Sequence, residues 1–154
     1  MSDYTELLGR LRAGLVDTSS AVWGTAELDE ALLQALADMR RASAVEYTVD
    51  GLAGALLTNL PAAHFATLVR GAVAYALLWR AVERVDAYNY QAGLSADALA
   101  AAAAVMRRFE ESLLSLAAER TAAMQTSVDT PYPDGSVSTQ PGWKLADDLE
   151  TMEG

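Results

Sequence analysis

Apolar residues recur along this chain at helical spacing in four stretches, parted by polar or glycine-bearing breaks. The first runs from Asp3 to about Val16, with Leu7, Leu8, Leu11 and Leu15 on one stripe. Asp3 and Glu6 at its start fit an acidic variant of a capping box. Asp17–Ala21 is a polar break. Trp23-Gly24-Thr25 then introduces a second helix reaching about Tyr47, where Leu28, Leu32, Leu36 (or Ala35) and Met39 keep the period. Glu27, Asp29 and Glu30 near its start and Arg40 and Arg41 near its end suit the helix dipole. With Gly24 as N-cap, Trp23 and Leu28 form a hydrophobic staple, so Trp23 reads as a packing anchor.

Thr48–Leu60 carries two Gly and no period, and reads as a loop with one helical turn at most. The next stretch, Leu60 to Gln91, is read as one long helix opened by Pro61 and closed near Gly93. From Ala62 to Val82 its only formally charged side chains are Arg70 and Arg80. Such a helix needs protein around most of its circumference. At the rise of an α-helix it spans roughly 45 Å. Leu68, Ala72, Tyr75, Trp79 and Val82 line one face, and Gly71 is placed to permit close helix approach. Beyond it, Arg80, Glu83, Arg84 and Asp86 form a charged cluster, and Tyr88 and Tyr90 an aromatic patch. These six residues read as an inter-subunit contact. A helix leaving the core would show the same charges, and the tyrosines equally suit packing within the chain.

Ala92-Gly93-Leu94 reads as a turn, and Ser95 as the N-cap of a fourth helix reaching about Met124. Leu99, Met106, Phe109, Leu113 and Leu116 form its stripe. Its alanine-rich start suits tight antiparallel packing on the third helix. After Gln125 the composition changes: three of the four Pro fall between Thr130 and Gly142. The fold expected is all-α: a bundle of about four helices over residues 1–124, two of them long and antiparallel, with an extended tail over 125–154. In that tail Trp143, Leu145, Leu149 and Met152 make a small amphipathic pattern, with Tyr132 upstream. A segment of this kind suits docking into a partner's groove, more than a disordered end.

Composition narrows the function. The net charge is −10, and the basic residues are ten Arg and Lys144 alone. That argues against gripping nucleic acid by counterion release, but suits a channel that DNA slides through. With no Cys there are no disulfides or thiolate sites. The single His64 has no second His to build a metal site, and no Gly-rich phosphate loop is present. Glu110–Glu111 and Asp147–Asp148 read as solvated surface. The expectation is no enzyme, no cofactor and no metal. No signal peptide is visible and no uncharged run reaches a membrane span, so a soluble cytoplasmic chain is expected.

The order of these parts resembles the head–tail connector adaptors, or head completion proteins, of tailed phages and gene transfer agents. The resemblance covers roughly residues 4–116. It rests on Trp23 followed by AELDEALLQAL, the Gly-bearing loop, and LPAAHFATLVRGAVAYALLWRA with a long last helix. It implies a structural virion protein, made in the host cytoplasm. Its copies form a ring, usually of twelve, that joins the portal protein to a neck or tail completion protein and extends the DNA channel. It also implies a C-terminal segment reaching the portal. Trp143, Leu145, Leu149, Met152 and Tyr132 are assigned as its anchors from their pattern alone. Two other classes stand beside this. One is a small regulatory or chaperone-like helical module acting through the same tail. The other is a helical enzyme or small-molecule binder with a pocket around His64, Tyr75 and Trp79.

Overall fold

The computed structural model describes residues 2–87 and 92–128, with side chains described at 2–83 and 96–126. It is all-α among these residues: α1 (Asp3–Gly14), α2 (Thr25–Ser43), a 3-10 turn (Ala62–His64), α3 (Phe65–Ala87) and α4 (Ala92–Val128). One compact unit covers residues 1–119, and a second begins at Arg120. Of the second unit, residues 120–128 are described; they are helical, and 121–126 are exposed.

In α1, Leu7 and Leu11 are buried one turn apart, with Leu8 and Leu15 at the core's margin. Ser2, not Asp3, is the N-cap, and no side chain caps it. Glu6 pairs with Arg10 instead of closing a capping box, because an i, i+4 partner is within reach on the exposed face. The helix stops at Gly14, two residues early, where the chain turns into a left-handed Val16 (φ 56°).

In α2, Leu28, Ala31, Leu32, Ala35, Leu36 and Met39 are buried, the three-four alternation of one wide helix face. Gly24 is the N-cap, and its N–H donates to the Glu27 carboxylate at 2.9 Å. Trp23 and Leu28 both enter the core, as a staple requires. The helix ends at Ser43, four residues before Tyr47, because Ala44 adopts the left-handed conformation (φ 53°). Arg40 Nε donates to the Tyr47 carbonyl at 2.8 Å, tying the outgoing chain back on the helix.

Residues 45–60 contain no helical turn; they form a hydrogen-bonded loop. The long helix opens in two steps. Pro61 precedes a 3-10 turn, His64 N–H donates to the Pro61 carbonyl at 2.9 Å, and α3 proper starts at Phe65. It is described as far as Ala87; it starts later than the expected helix, and the expected end at Gln91 lies outside the described residues. Leu68 and Ala72 are fully buried and Tyr75 and Trp79 partly so, while Val82 is 47 % exposed. Ala74, Ala76 and Ala81 are buried as well, so α3 is covered on more than one face. The segment Ala62–Glu83 is long and apolar enough to cross a membrane by length and composition, which the count of uncharged runs missed. In this fold its Phe65, Leu68, Ala72 and Ala76 join the core cluster that α1 and α2 also build.

The expected turn at Ala92-Gly93-Leu94 is helix: α4 begins at Ala92, upstream of Ser95. An N-cap preference of about 1 kcal/mol is outweighed by extending a long helix. The register of α4 on α3 is antiparallel. Arg70 donates to Ser112 at 2.7 Å, Tyr75 meets Phe109 edge-on at 6.4 Å between centroids, and Ala81 shares a cleft with Ala98 and Ala102. The three helices make a tight contact at Gly71. A methyl group there would lie 2.5 Å from Phe109 Cε2 and 2.8 Å from Ala35 Cβ. The glycine accepts its helix cost of about 1 kcal/mol so that α2, α3 and α4 meet at one point.

Candidate functional site

The most elaborated site begins at Asp17, in the break after α1. Its buried carboxylate accepts the backbone N–H groups of Ala21 (2.9 Å), Val22 (3.2 Å) and Trp23 (2.9 Å), and Arg12 stands 3.5 Å away. Burial pushes this carboxyl's pKa up, but the three N–H donors and the Arg12 charge outweigh it and hold it below the usual Asp value. Arg12 also donates to the Trp23 carbonyl at 3.2 Å and to Thr25 Oγ1 at 3.2 Å. Both backbone polar groups of Trp23 are thereby clamped, and its ring is fixed in the core.

Arg80 of α3 lies over that ring, 5.1 Å from its centroid, and donates to the Val22 carbonyl at 3.3 Å. The ring face and the carbonyl hold the guanidinium, and Glu83, one turn on, stays exposed. Arg80 separates two clefts. The first, about 400 Å³, lies between the start of α2 and the end of α3; Trp23, Ala26, Ala76 and Trp79 wall it, with Glu27, Glu30 and Glu83 at the rim. The second, about 200 Å³, runs between α3 and α4 over Val22, Leu77, Ala81, Ala98, Ala101 and Ala102. Tyr75 supports the floor: its ring packs 5.8 Å from that of Trp79, and its hydroxyl donates to Asp38. Burial, then that bond, raises the Tyr75 pKa.

A second feature lies in the loop between α2 and the 3-10 turn. Val49, Leu52 and Leu60 are buried and anchor it. Thr48 N–H donates to Asn59 Oδ1 (2.6 Å), Thr48 Oγ1 to the Leu57 carbonyl (2.8 Å), Asp50 N–H to Thr58 Oγ1 (2.8 Å), and Asn59 Nδ2 to the Glu46 carbonyl (2.8 Å). Gly51 (φ 87°) and Gly54 (φ 77°) make the left-handed turns. This fixed backbone presents Leu56 and Leu57 to solvent, 87 % and 79 % exposed. Each leucine left in water forgoes about 1.5–3 kcal/mol of burial. A loop so held together, ending in two wet leucines, has the character of a contact tip.

Of the residues expected at a subunit contact, Arg80 and Glu83 flank the first cleft. Arg84 and Asp86 lie in α3 with side chains outside the description, and Tyr88 and Tyr90 lie outside the described residues, as do Tyr132, Trp143, Leu145, Leu149 and Met152. A pocket around His64, Tyr75 and Trp79 is not formed. His64 sits roughly 16 Å along the helix from Tyr75. It is 4.0 Å from Glu119 and packs near the Tyr47 ring. Among the described residues no group of three or more His, Asp or Glu is placed to hold a metal. Sequence reasoning missed Asp17, whose only signal was a buried-type Trp six residues on, and it missed the Leu56–Leu57 tip, which has no periodicity to betray it. Compared with known proteins, the chain matches no family, no curated protein and no solved structure.

Proposed function

We propose that this chain is a structural adaptor of a tailed-phage or gene-transfer-agent virion: a ring subunit that joins the portal to the neck or tail and extends the DNA channel. The reading comes from the resemblance in the order of its parts. The observation that carries it furthest is a helical body that holds apolar features in fixed outward positions. The Trp23–Trp79 cleft and the Leu56–Leu57 tip are both rigidly supported and both open to another chain. Such surfaces serve assembly rather than turnover. The net charge of −10 supports a channel wall that repels phosphate and lets DNA pass. The C-terminal segment, with Trp143, Leu145 and Leu149, is the portal anchor in this reading.

The test is co-sedimentation with a portal protein from the genome that encodes this chain. The full chain is expected to travel with the portal. The chain cut after Met124 is expected to stay soluble and helical by circular dichroism, yet remain behind. Attachment that survives the cut refutes the anchor, and a full chain that never attaches refutes the adaptor.

A further inference from the structure

We propose that the Leu56–Leu57 tip of one copy seats in the Trp23–Trp79 cleft of the next, so that copies join head to tail. The inference rests on the ring reading above and names the two surfaces that would make the ring. Within one chain they lie at opposite ends of the α2–α3 pair. The tip follows the end of α2 and precedes the start of α3, whereas the cleft is built from Ala26, Glu27 and Glu30 at the start of α2 and Trp79, Arg80 and Glu83 late in α3. Some thirteen or more helical residues, roughly 20 Å, part them along α2, so a chain cannot fill its own cleft. A contact between two different patches is heterologous, and repeating it makes a closed ring or an open filament.

Charge selects the occupant. Three carboxylates, Glu27, Glu30 and Glu83, rim the cleft against the single Arg80, which is already engaged with Trp23 and Val22. The apolar C-terminal segment from Trp143 onward carries Asp147, Asp148, Glu150 and Glu153 against Lys144 alone, and this rim repels it. From Gly51 to Val69 the chain has no Asp, Glu, Lys or Arg. The loop's carboxylates are Asp50 and Glu46, the latter 3.6 Å from Arg40 Nε, and the tip itself is an apolar feature whose own residues bring no charge to the acidic rim. The walls it meets are the rings of Trp23 and Trp79 and the methyl groups of Ala26 and Ala76, surfaces that leucine side chains cover well. Since each copy is strongly acidic, the joint has a signature: screening the repulsion tightens it, opposite to an interface built on ion pairs.

The absence of native cysteine allows a direct test in the full-length protein. Leu57→Cys and Ala26→Cys chains are mixed and oxidised mildly, with Thr5→Cys, on the exposed face of α1, as the control. The expected result is a disulfide between Leu57→Cys and Ala26→Cys chains at least fivefold over either homodimer and over any pair with Thr5→Cys. A chain carrying both changes is expected to give a ladder of multimers. The yield should rise between about 0.05 and about 0.5 M salt. Leu56→Asp with Leu57→Asp, at surface positions that leave the helices intact, should cut association tenfold or more at unchanged circular dichroism. Assembly that proceeds while the 57–26 link stays at the control level overturns this joint and leaves the ring reading standing. Chains that assemble under no condition, with portal present or absent, overturn both. Protection of the cleft by a different protein, with no link between copies, assigns the cleft to that partner and overturns the joint.

Discussion

Helices α2 and α4 flank the same α3, yet they use it differently. α2 buries six apolar side chains in little more than three turns, from Leu28 to Met39, and belongs to the core. Between Asp97 and Thr126, α4 buries only Ala102, Phe109 and Leu116, one every seven residues. Leu99, Met106 and Leu113 are half-covered beside them, while Leu114 is 71 % exposed and Met124 54 %. A seven-residue repeat is a narrow seam, as in a coiled coil, and leaves most of the helix circumference uncovered. Ample helix-forming sequence is therefore no guide to depth in the fold. α2 is held by area, α4 by one seam pinned where Phe109 meets Gly71 and Ala35.

The most forceful way to break this comparison is to remove the pin. Phe109→Ala is expected to cost about 3–5 kcal/mol in urea unfolding, with α4 amides losing hydrogen-exchange protection ahead of those in α2. Equal loss in both helices would mean that α4 is as deeply integrated as α2. Gly71→Ala comes next. Helix propensity alone favours alanine by about 1 kcal/mol, but the added methyl collides with Phe109 and Ala35, so a net loss of about 1–3 kcal/mol is expected, more for Gly71→Leu. Combined with Phe109→Ala, much of the Gly71→Ala cost should vanish, since the ring it strikes is gone. A melting curve unchanged by Gly71→Ala would place no close contact at that point.

Titration probes the part of the core around α1. The Asp17 carboxyl is held below its usual value, so its contribution is complete above the ordinary Asp pKa and is lost as pH falls through the folded value. Asp17→Asn should lower the melting temperature near neutrality and flatten the acid limb, through loosening of Trp23. Burial, then the 2.6 Å bond to Asp29, pushes the Tyr4 hydroxyl up to about 12. The folded state therefore keeps a proton that the unfolded chain releases near pH 10. Its stability is complete below pH 10 and falls as pH rises from there toward 12. Tyr4→Phe should remove that alkaline loss, which a melting series above pH 9.5 or so will show. The smallest effect belongs to Leu114→Gln on the outer side of α4: within about 0.5 kcal/mol in the isolated protein.

The same contrast explains what was readable from sequence. The α2 stripe from Leu28 to Met39 is dense and its large residues were legible, though Ala31 was not and Ala35 stood only as an alternative to Leu36; Leu7 and Leu11, the Gly24 cap and the close approach at Gly71 were legible too. The seam of α4 was read through its bulky residues, which hid Ala102: an alanine carries no mark of burial unless its neighbours are known. Helix ends shifted wherever a weak local preference met a longer-range one, as at Ser95 and Asp3. The site was legible in part. Arg80 and Trp23 stood out, but their stacking joins residues 57 positions apart and no periodicity encodes it. Asp17 looked like one polar residue in a polar break, because its partners are backbone groups that any sequence supplies. Leu56 and Leu57 were invisible as a tip, since only the hydrogen bonds of Thr48 and Asn59 turn them outward.

The adaptor reading is tested most directly by imaging the full-length chain mixed with its portal by electron microscopy. The account predicts a ring of copies beneath the portal, with density of one copy's Leu56–Leu57 loop against the Trp23–Trp79 cleft of its neighbour. Portal particles that stay bare, with the chain remaining a free monomer beside them, would contradict it.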